Sequence, residues 1–205
     1  MMDQIGVYAI ITNPVLSYRT FTEKCVFYGI KMLQLREKHL SDKELIRIGK
    51  EIRSITRGTQ TKLVINDRPD IALICDADYL HLGQDDFPIE EARKIVGDMK
   101  IGLSTHSLEQ AREALLKKPD YIGFGPIYPT NAKSKPDLPV GIDLLKEVIG
   151  FSDVPVVAIG GIFPENIQPV IDAGAVNIAV VRFLMQATEP DERILYLKKL
   201  LKRKI

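Results

Sequence analysis

Apolar residues come in short, nearly unbroken runs separated by longer amphipathic stretches. Eight runs read as strands: Val7–Thr12, Lys31–Leu35, Lys62–Asn66, Tyr79–Leu82, Lys100–Ser104, Tyr121–Phe124, Val154–Ile159 and Asn177–Val181. Continuous rather than alternating hydrophobicity marks parallel strands covered on both faces. The stretches between them carry helical spacing. Ser41–Thr56 sets Leu45, Ile46, Ile48 and Ile52 on one side and opens with Ser41 and Glu44, the residues of a capping box. Pro88–Val96 begins with proline followed by acids, and Ser107–Lys117 opens on a second box, Ser107 and Gln110. Pro164–Ala173 runs into Gly174, a C-cap residue, and Glu189–Lys202 is a basic-ended helix. Eight strands, each followed by a helical stretch, predict an α/β fold, a single (β/α)8 TIM barrel forming one domain over 1–205. The alternative is a doubly wound open sheet. The tally of eight and the absence of Gly-x-Gly-x-x-Gly after the first strand favour the barrel.

Composition narrows the class. A chain of 205 residues, 45% hydrophobic and 27% charged, can bury a full core. A net charge of +1 gives no global basic field for nucleic acid. No apolar run approaches the roughly 20 residues of a membrane span, and Met1-Met2-Asp3-Gln4 does not open a signal peptide. Cys25 and Cys75 lie in unrelated apolar segments and read as buried thiols. These features lead to the expectation of a cytoplasmic protein without nucleic-acid or membrane partners. A homo-oligomer is left open.

In a parallel barrel the ligand sits at the C-terminal strand ends. Here those ends break into charged and hydrogen-bonding residues. Gln34-Leu35-Arg36-Glu37-Lys38 closes the second strand, with Gln34, Arg36 and Lys38 alternating towards one face. Arg and Lys there suit phosphate oxygens, although a solvated loop with Glu37 paired to a lysine would read the same way. Asn66-Asp67 ends the third strand, and Asp85-Asp86 follows the fourth. Acids on adjacent strands can share a hard divalent cation, or can simply cap the helices that follow. Gly160-Gly161 after the seventh strand fits either a backbone phosphate site or a plain tight turn, and Val181-Arg182 would complete the cup. The longest irregular stretch, Thr130–Gly141, has the character of an active-site loop or a surface insertion. His81 and His106 also lie near strand ends and read as structural histidines. Zinc spacing, a nucleophile elbow and a Walker A loop are all absent from the sequence.

Taken in order, these segments resemble thiamine-phosphate synthase (thiamine-phosphate pyrophosphorylase). The resemblance rests on Gln34–Lys38, Ile65-Asn66-Asp67-Arg68, His81–Asp86, Gly102–His106, Gly123–Thr130 and Ala158–Ile162, and covers most of the chain. It implies a transferase that joins hydroxymethylpyrimidine diphosphate to hydroxyethylthiazole phosphate, or its carboxylated form, yielding thiamine phosphate and pyrophosphate with Mg²⁺. Under it, Gln34 and Ser104 contact the pyrimidine, while Arg36, Lys38, Asn66 and Lys133 hold the diphosphate. Asp67 and Asp86 hold Mg²⁺. Thr130, Gly161, Val181 and Arg182 hold the thiazole phosphate, and Leu35, Glu37, Asn131 and Ala132 complete the substrate-binding segments. Catalysis falls to Arg36, Lys38, Ser104 and Lys133.

Two positions depart from the pattern. Ala132 stands where the family carries Thr or Ser, and Arg182 stands where it carries Ser. Both fall in the expected thiazole-phosphate pocket. Three other readings stay open here: a thiazole tautomerase, a protein that binds thiamine precursors without turnover, and an unrelated sugar-phosphate barrel enzyme. The tautomerase branch generally has His where this chain has Pro126, and it loses the metal acids that this chain keeps.

Overall fold

The structure is a computed structural model that describes residues 4–130 and 137–202. Eight parallel strands close into a barrel in sequence order: β1 (Val7–Ile11), β2 (Met32–Leu35), β3 (Lys62–Asn66), β4 (Tyr79–Leu82), β5 (Lys100–Thr105), β6 (Tyr121–Phe124), β7 (Val156–Ala158) and β8 (Ile178–Val180). The helices between them are α1 (Tyr18–Phe27), α2 (Asp42–Thr56), α3 (Pro69–Ile74), α4 (Ile89–Val96), α5 (Leu108–Leu116), α6 (Gly141–Phe151), α7 (Ile167–Asp172) and α8 (Arg182–Met185), followed by α9 (Asp191–Lys202). The expected TIM barrel is therefore the fold.

Strand alternation divides the core in two. Leu33, Leu63, Ile65, Leu80, Leu82, Ile101, Ile122 and Phe124 join the helices in one large outer cluster. Tyr8, Ile10, Met32, Val64, Tyr121, Val157 and Ala179 fill the barrel interior as a second, smaller cluster. Two buried tyrosines, Tyr8 and Tyr121, bring hydroxyl groups into that interior, which bears on the site below.

The N-terminal ends of the strands are tied by one repeated device. Asp78, just before β4, accepts the Leu63 amide of β3 at 2.9 Å. Asp120, just before β6, accepts the Ile101 amide of β5 at 2.8 Å. Asn177, just before β8, accepts the Ile5 and Gly6 amides at 2.9 and 3.1 Å and donates to the Val156 carbonyl. Each side chain satisfies a strand-start N–H that the ladder leaves over.

Both expected helix starts are capped by their serine, but the return bond of the box goes elsewhere: Glu44 meets the Ser41 hydroxyl, and Gln110 Oε1 accepts the His106 amide. Ser41 accepts from the Glu44 amide, and Ser107 accepts from the Gln110 amide at 3.1 Å. Strand seven is shorter than the expected Val154–Ile159 because Pro155 has no N–H to give and the chain turns at Gly160. Strand eight is likewise trimmed to its three central residues, Ile178–Val180.

Candidate functional site

At the C-terminal strand ends lies an open cavity of about 870 Å³, counting the solvent at its mouth. Arg36, Ser104, Thr130, Gly161, Val181 and Arg182 line it, from the ends of β2, β5, β6, β7 and β8. Beneath it, sharing Ile10, Ser104, Ile159 and Ala179, is a smaller recess of about 250 Å³ that reaches Gln34, His81, Tyr8 and Tyr121. The larger cavity is walled mainly by apolar and glycine residues, with polar groups at its floor and rim, as small-molecule sites usually are.

Hydrogen bonds run continuously through the floor. Gln34 Nε2 donates to the Tyr8 hydroxyl at 2.7 Å, and the Tyr8 and Tyr121 hydroxyls lie 2.8 Å apart. Tyr121 meets His81 Nδ1 at 2.8 Å, and His81 Nε2 meets Ser104 Oγ at 2.9 Å. The His81 ring stacks on Tyr121, with centroids 5.5 Å apart. Burial raises both tyrosine hydroxyls well above the usual tyrosine range, so they remain neutral donors and acceptors.

On the rim above β3 and β4, Asp67 and Asp86 hydrogen-bond to each other. Burial, reinforced by that contact, pushes Asp86 up to about 6, while the Gly83 amide donates to its Oδ2 at 2.6 Å. Burial acts upward on Asp67 too, but the hydrogen bond from Asp86 and the ion pair with Lys38 at 2.8 Å together hold it below the usual carboxylate range. Two carboxyl groups this close need a proton or a cation between them. Neither caps a helix: the N-caps of α3 and α4 are Arg68 and Pro88, and neither helix has a side-chain cap. Asp67 sits at φ 63°, an uncommon backbone state for a residue other than glycine. Arg68 turns away to Asp42 and Asp70 at 2.6 and 2.7 Å. Among the described residues no group of three or more His, Cys, Asp or Glu side chains gathers. A cation on this pair would therefore draw its other oxygens from substrate and water.

Across the cavity, Gly160 and Gly161 turn at φ 96° and 67°. A Cβ on Gly161 would lie 2.7 Å from the Tyr128 carbonyl oxygen, and one on Gly160 would lie 2.4 Å from Pro126. The strand-six and strand-seven loops thus approach too closely for any side chain there. Asn166 fixes the turn, donating to the Gly161 carbonyl at 2.8 Å and accepting the Phe163 amide at 2.7 Å. The Arg182 guanidinium lies over the Phe163 ring, 5.2 Å from its centroid, so it borders the cavity.

Other expected residues sit elsewhere. Leu35 packs into the outer cluster with the helices, because its strand position faces away from the barrel interior. Glu37 is turned away as well: it accepts the Asn13 amide and the Tyr18 hydroxyl, the latter at 2.7 Å, and so anchors the loop before α1. Asn66 pairs in register with His81 at the end of β3, beside the acid pair. Asn131, Ala132 and Lys133 lie outside the described residues. Sequence reasoning took His81 and His106 as structural and passed over Tyr8, Tyr121 and Phe163. His81 instead joins the polar floor, and His106 lines the large cavity while holding the Gly125 carbonyl through Nδ1. A signal for the tyrosines was present: each falls at an inward position of its strand, where a hydroxyl needs a partner.

Comparison with known proteins agrees with this geometry. The family model described as thiamine monophosphate synthase matches residues 7–184. Thiamine-phosphate synthase of Chlorobium phaeovibrioides is 42% identical over 195 residues, spanning 95% of this chain and 92% of the relative. That of Chloroflexus aurantiacus is 40% identical over 173 residues, spanning 84% and 80%. Among solved structures, thiamine phosphate pyrophosphorylase from Pyrococcus furiosus superposes with a TM-score of 0.88 at 33% identity, covering 98% of this chain and 96% of that one. A 3-hexulose-6-phosphate synthase shares only the barrel, at 16% identity and a TM-score of 0.66. Sequence match, fold and a two-level cavity at the strand ends agree: the chain belongs to the thiamine monophosphate synthase family.

Proposed function

We propose that this protein is a thiamine-phosphate synthase, a transferase acting as a single barrel domain in the cytoplasm. It joins hydroxymethylpyrimidine diphosphate to hydroxyethylthiazole phosphate or its carboxylated form. One observation carries the reading: residues from five different strand ends, including Arg36, Ser104, Gly161 and Arg182, face one cavity with a polar floor. The cytoplasmic placement is supported by two free, buried thiols, Cys25 and Cys75, and no helix among the described residues is long and apolar enough to cross a membrane.

In this reading the pyrimidine sits deepest, with Gln34 and Ser104 on its polar edge. Arg36, Lys38, Asn66 and Lys133 surround its diphosphate. Asp67 and Asp86 fit Mg²⁺, since their close approach already demands a positive partner and Lys38 supplies one to Asp67. Bound Mg²⁺ would neutralise charge on the diphosphate oxygens. The C–O bond between the pyrimidine methylene and the diphosphate breaks, and pyrophosphate leaves with the bonding pair. The amino group of the pyrimidine donates density to the methylene carbon. The thiazole nitrogen then bonds to that carbon, with its phosphate held by Thr130, the Gly161 amide and the Val181-Arg182 end of β8. No protein base is required, which accords with a cavity whose chemistry is cationic and hydrogen-bonding rather than nucleophilic.

The tautomerase alternative is disfavoured by Pro126 in place of the histidine expected of that branch and by the retained acid pair. The deciding experiment incubates the protein with both substrates and Mg²⁺ and scores thiamine phosphate and pyrophosphate in equal amounts. Isomerisation of a thiazole phosphate without condensation would overturn the reading.

A further inference from the structure

Asp67 is the centre of a three-residue turn. Its φ is 63°, and the Arg68 amide donates back to the Asn66 carbonyl at 2.8 Å. The Asp67 amide itself donates to the His81 carbonyl of β4, also at 2.8 Å. A turn of this kind is strained for any residue but glycine and persists only where its surroundings over-determine it. Pro69 opens α3 and restricts Arg68 to the extended backbone that it adopts.

The Arg68 side chain supplies a further constraint. Nε and Nη2 donate to the two oxygens of Asp70 at 3.0 and 2.7 Å. Nη1 and Nη2 donate to the two oxygens of Asp42 at 2.6 and 3.0 Å. Both contacts are forked, the strongest geometry open to a guanidinium and a carboxylate. Asp70 lies in the first turn of α3, and Asp42 opens α2. The guanidinium therefore ties the loop after β3, which carries Asp67, to the loop after β2, which carries Lys38. A second link joins the same loops inside the site, the Lys38–Asp67 ion pair at 2.8 Å. A ligand acts differently on the two links. A cation on Asp67 and a diphosphate oxygen on Lys38 both compete with the inner link, and neither competes with the outer one.

We infer that Arg68 is a positioning residue: its double fork to Asp42 and Asp70 holds Asp67 in the strained turn and keeps the spacing between Asp67 and Lys38 once a ligand has parted their own pair. The ligand in this inference rests on the functional reading above, but the clamp itself does not. The Asp42 and Asp70 side chains are 65% and 54% exposed, so breaking the clamp takes little from global stability. Its effect is local, on the geometry of the acid pair. Lysine cannot replace Arg68, because an ammonium is a point donor with no planar fork to span two carboxylates.

The test uses the intact protein. Binding of inorganic pyrophosphate with Mg²⁺ is measured calorimetrically, and exchange of the Arg68 amide is followed without ligand. Asp42→Asn keeps Arg68 but cuts the tie between the loops, and Arg68→Lys keeps the charge but cuts both forks. Each should weaken Mg²⁺–pyrophosphate binding roughly five- to tenfold and speed exchange of the Arg68 amide by a similar factor, with urea midpoints close to the parent's. Charge alone predicts the opposite sign for Asp42→Asn, since removing a carboxylate favours an anionic complex. Unchanged or tighter binding in Asp42→Asn, or parent affinity in Arg68→Lys, would overturn the clamp alone. A parent that does not bind pyrophosphate with Mg²⁺ would overturn the functional reading, and the role of the clamp with it.

Discussion

At the scale of single residues, charge decides what the rim can hold. Asp67 and Asp86 are within hydrogen-bonding distance of each other, with Lys38 on one of them. We expect Asp67→Asn and Asp86→Asn each to abolish most turnover and to weaken Mg²⁺ binding measured by titration calorimetry with pyrophosphate, while circular dichroism stays unchanged. Full turnover in either variant would remove the acid pair from the mechanism. Arg182 is the residue least expected from the family pattern, and its stacking on Phe163 leaves it beside the glycine turn. A charge-assisted contact with phosphate is worth about 1.5–3 kcal/mol. Arg182→Ser should therefore lower thiazole-phosphate affinity on the order of tenfold or more, leaving pyrimidine-diphosphate affinity unaltered. Equal affinities in the two proteins would mean that Arg182 does no more than pack on Phe163. Lys133, which lies outside the described residues, should show a larger fall in kcat than rise in KM on Lys133→Ala if its charge matters most as pyrophosphate departs.

At the scale of elements, loops and caps hold the strand ends in place. The strand-seven turn can follow its path only because Gly161 has no side chain and sits at φ 67°. Gly161→Ala would press a methyl against the Tyr128 and Pro129 carbonyl oxygens, 2.7 and 2.8 Å away. We expect it to destabilise the protein by about 1–3 kcal/mol in urea unfolding and to raise KM for the thiazole phosphate. Normal stability together with a normal KM would show that the turn yields more easily than its contacts suggest. Ser107 caps α5 directly after the Ser104–His106 segment of the cavity. Ser107→Ala should cost ~0.5–2 kcal/mol of stability with little effect on either substrate.

At the scale of the whole molecule, the barrel separates stability from chemistry. The outer cluster between sheet and helices is apolar, and Leu80, fully buried there, should cost ~2–5 kcal/mol on Leu80→Ala with the substrate affinities of the folded fraction unchanged. The inner cluster instead contains the tyrosines and adjoins the ligand recess. Substitutions there are expected to alter specificity before they alter folding. Denaturant midpoints and ligand affinities measured on the same variants would separate the two classes.

The sequence by itself determined the barrel, because eight apolar runs with amphipathic intervals leave few other ways to bury both faces of a parallel sheet. It also located the strand ends, where Arg36, Lys38, Asp67, Asp86 and the glycine pair announce themselves by charge or by lack of a side chain. It was weaker for α1, whose Tyr, Thr, Phe and Val content speaks for a strand, and for α3 and α8, which at six and four residues are too short to show a period. Strand alternation already set Gln34 and Leu35 on opposite faces; only the tertiary structure showed that one faces the recess and the other the helical layer. Only the closed barrel joined Tyr8 of β1 to Tyr121 of β6 and His81 of β4. A hydrogen bond between residues 113 positions apart leaves no periodic trace in the chain, since it depends on the angle at which strands cross the barrel axis rather than on any local preference.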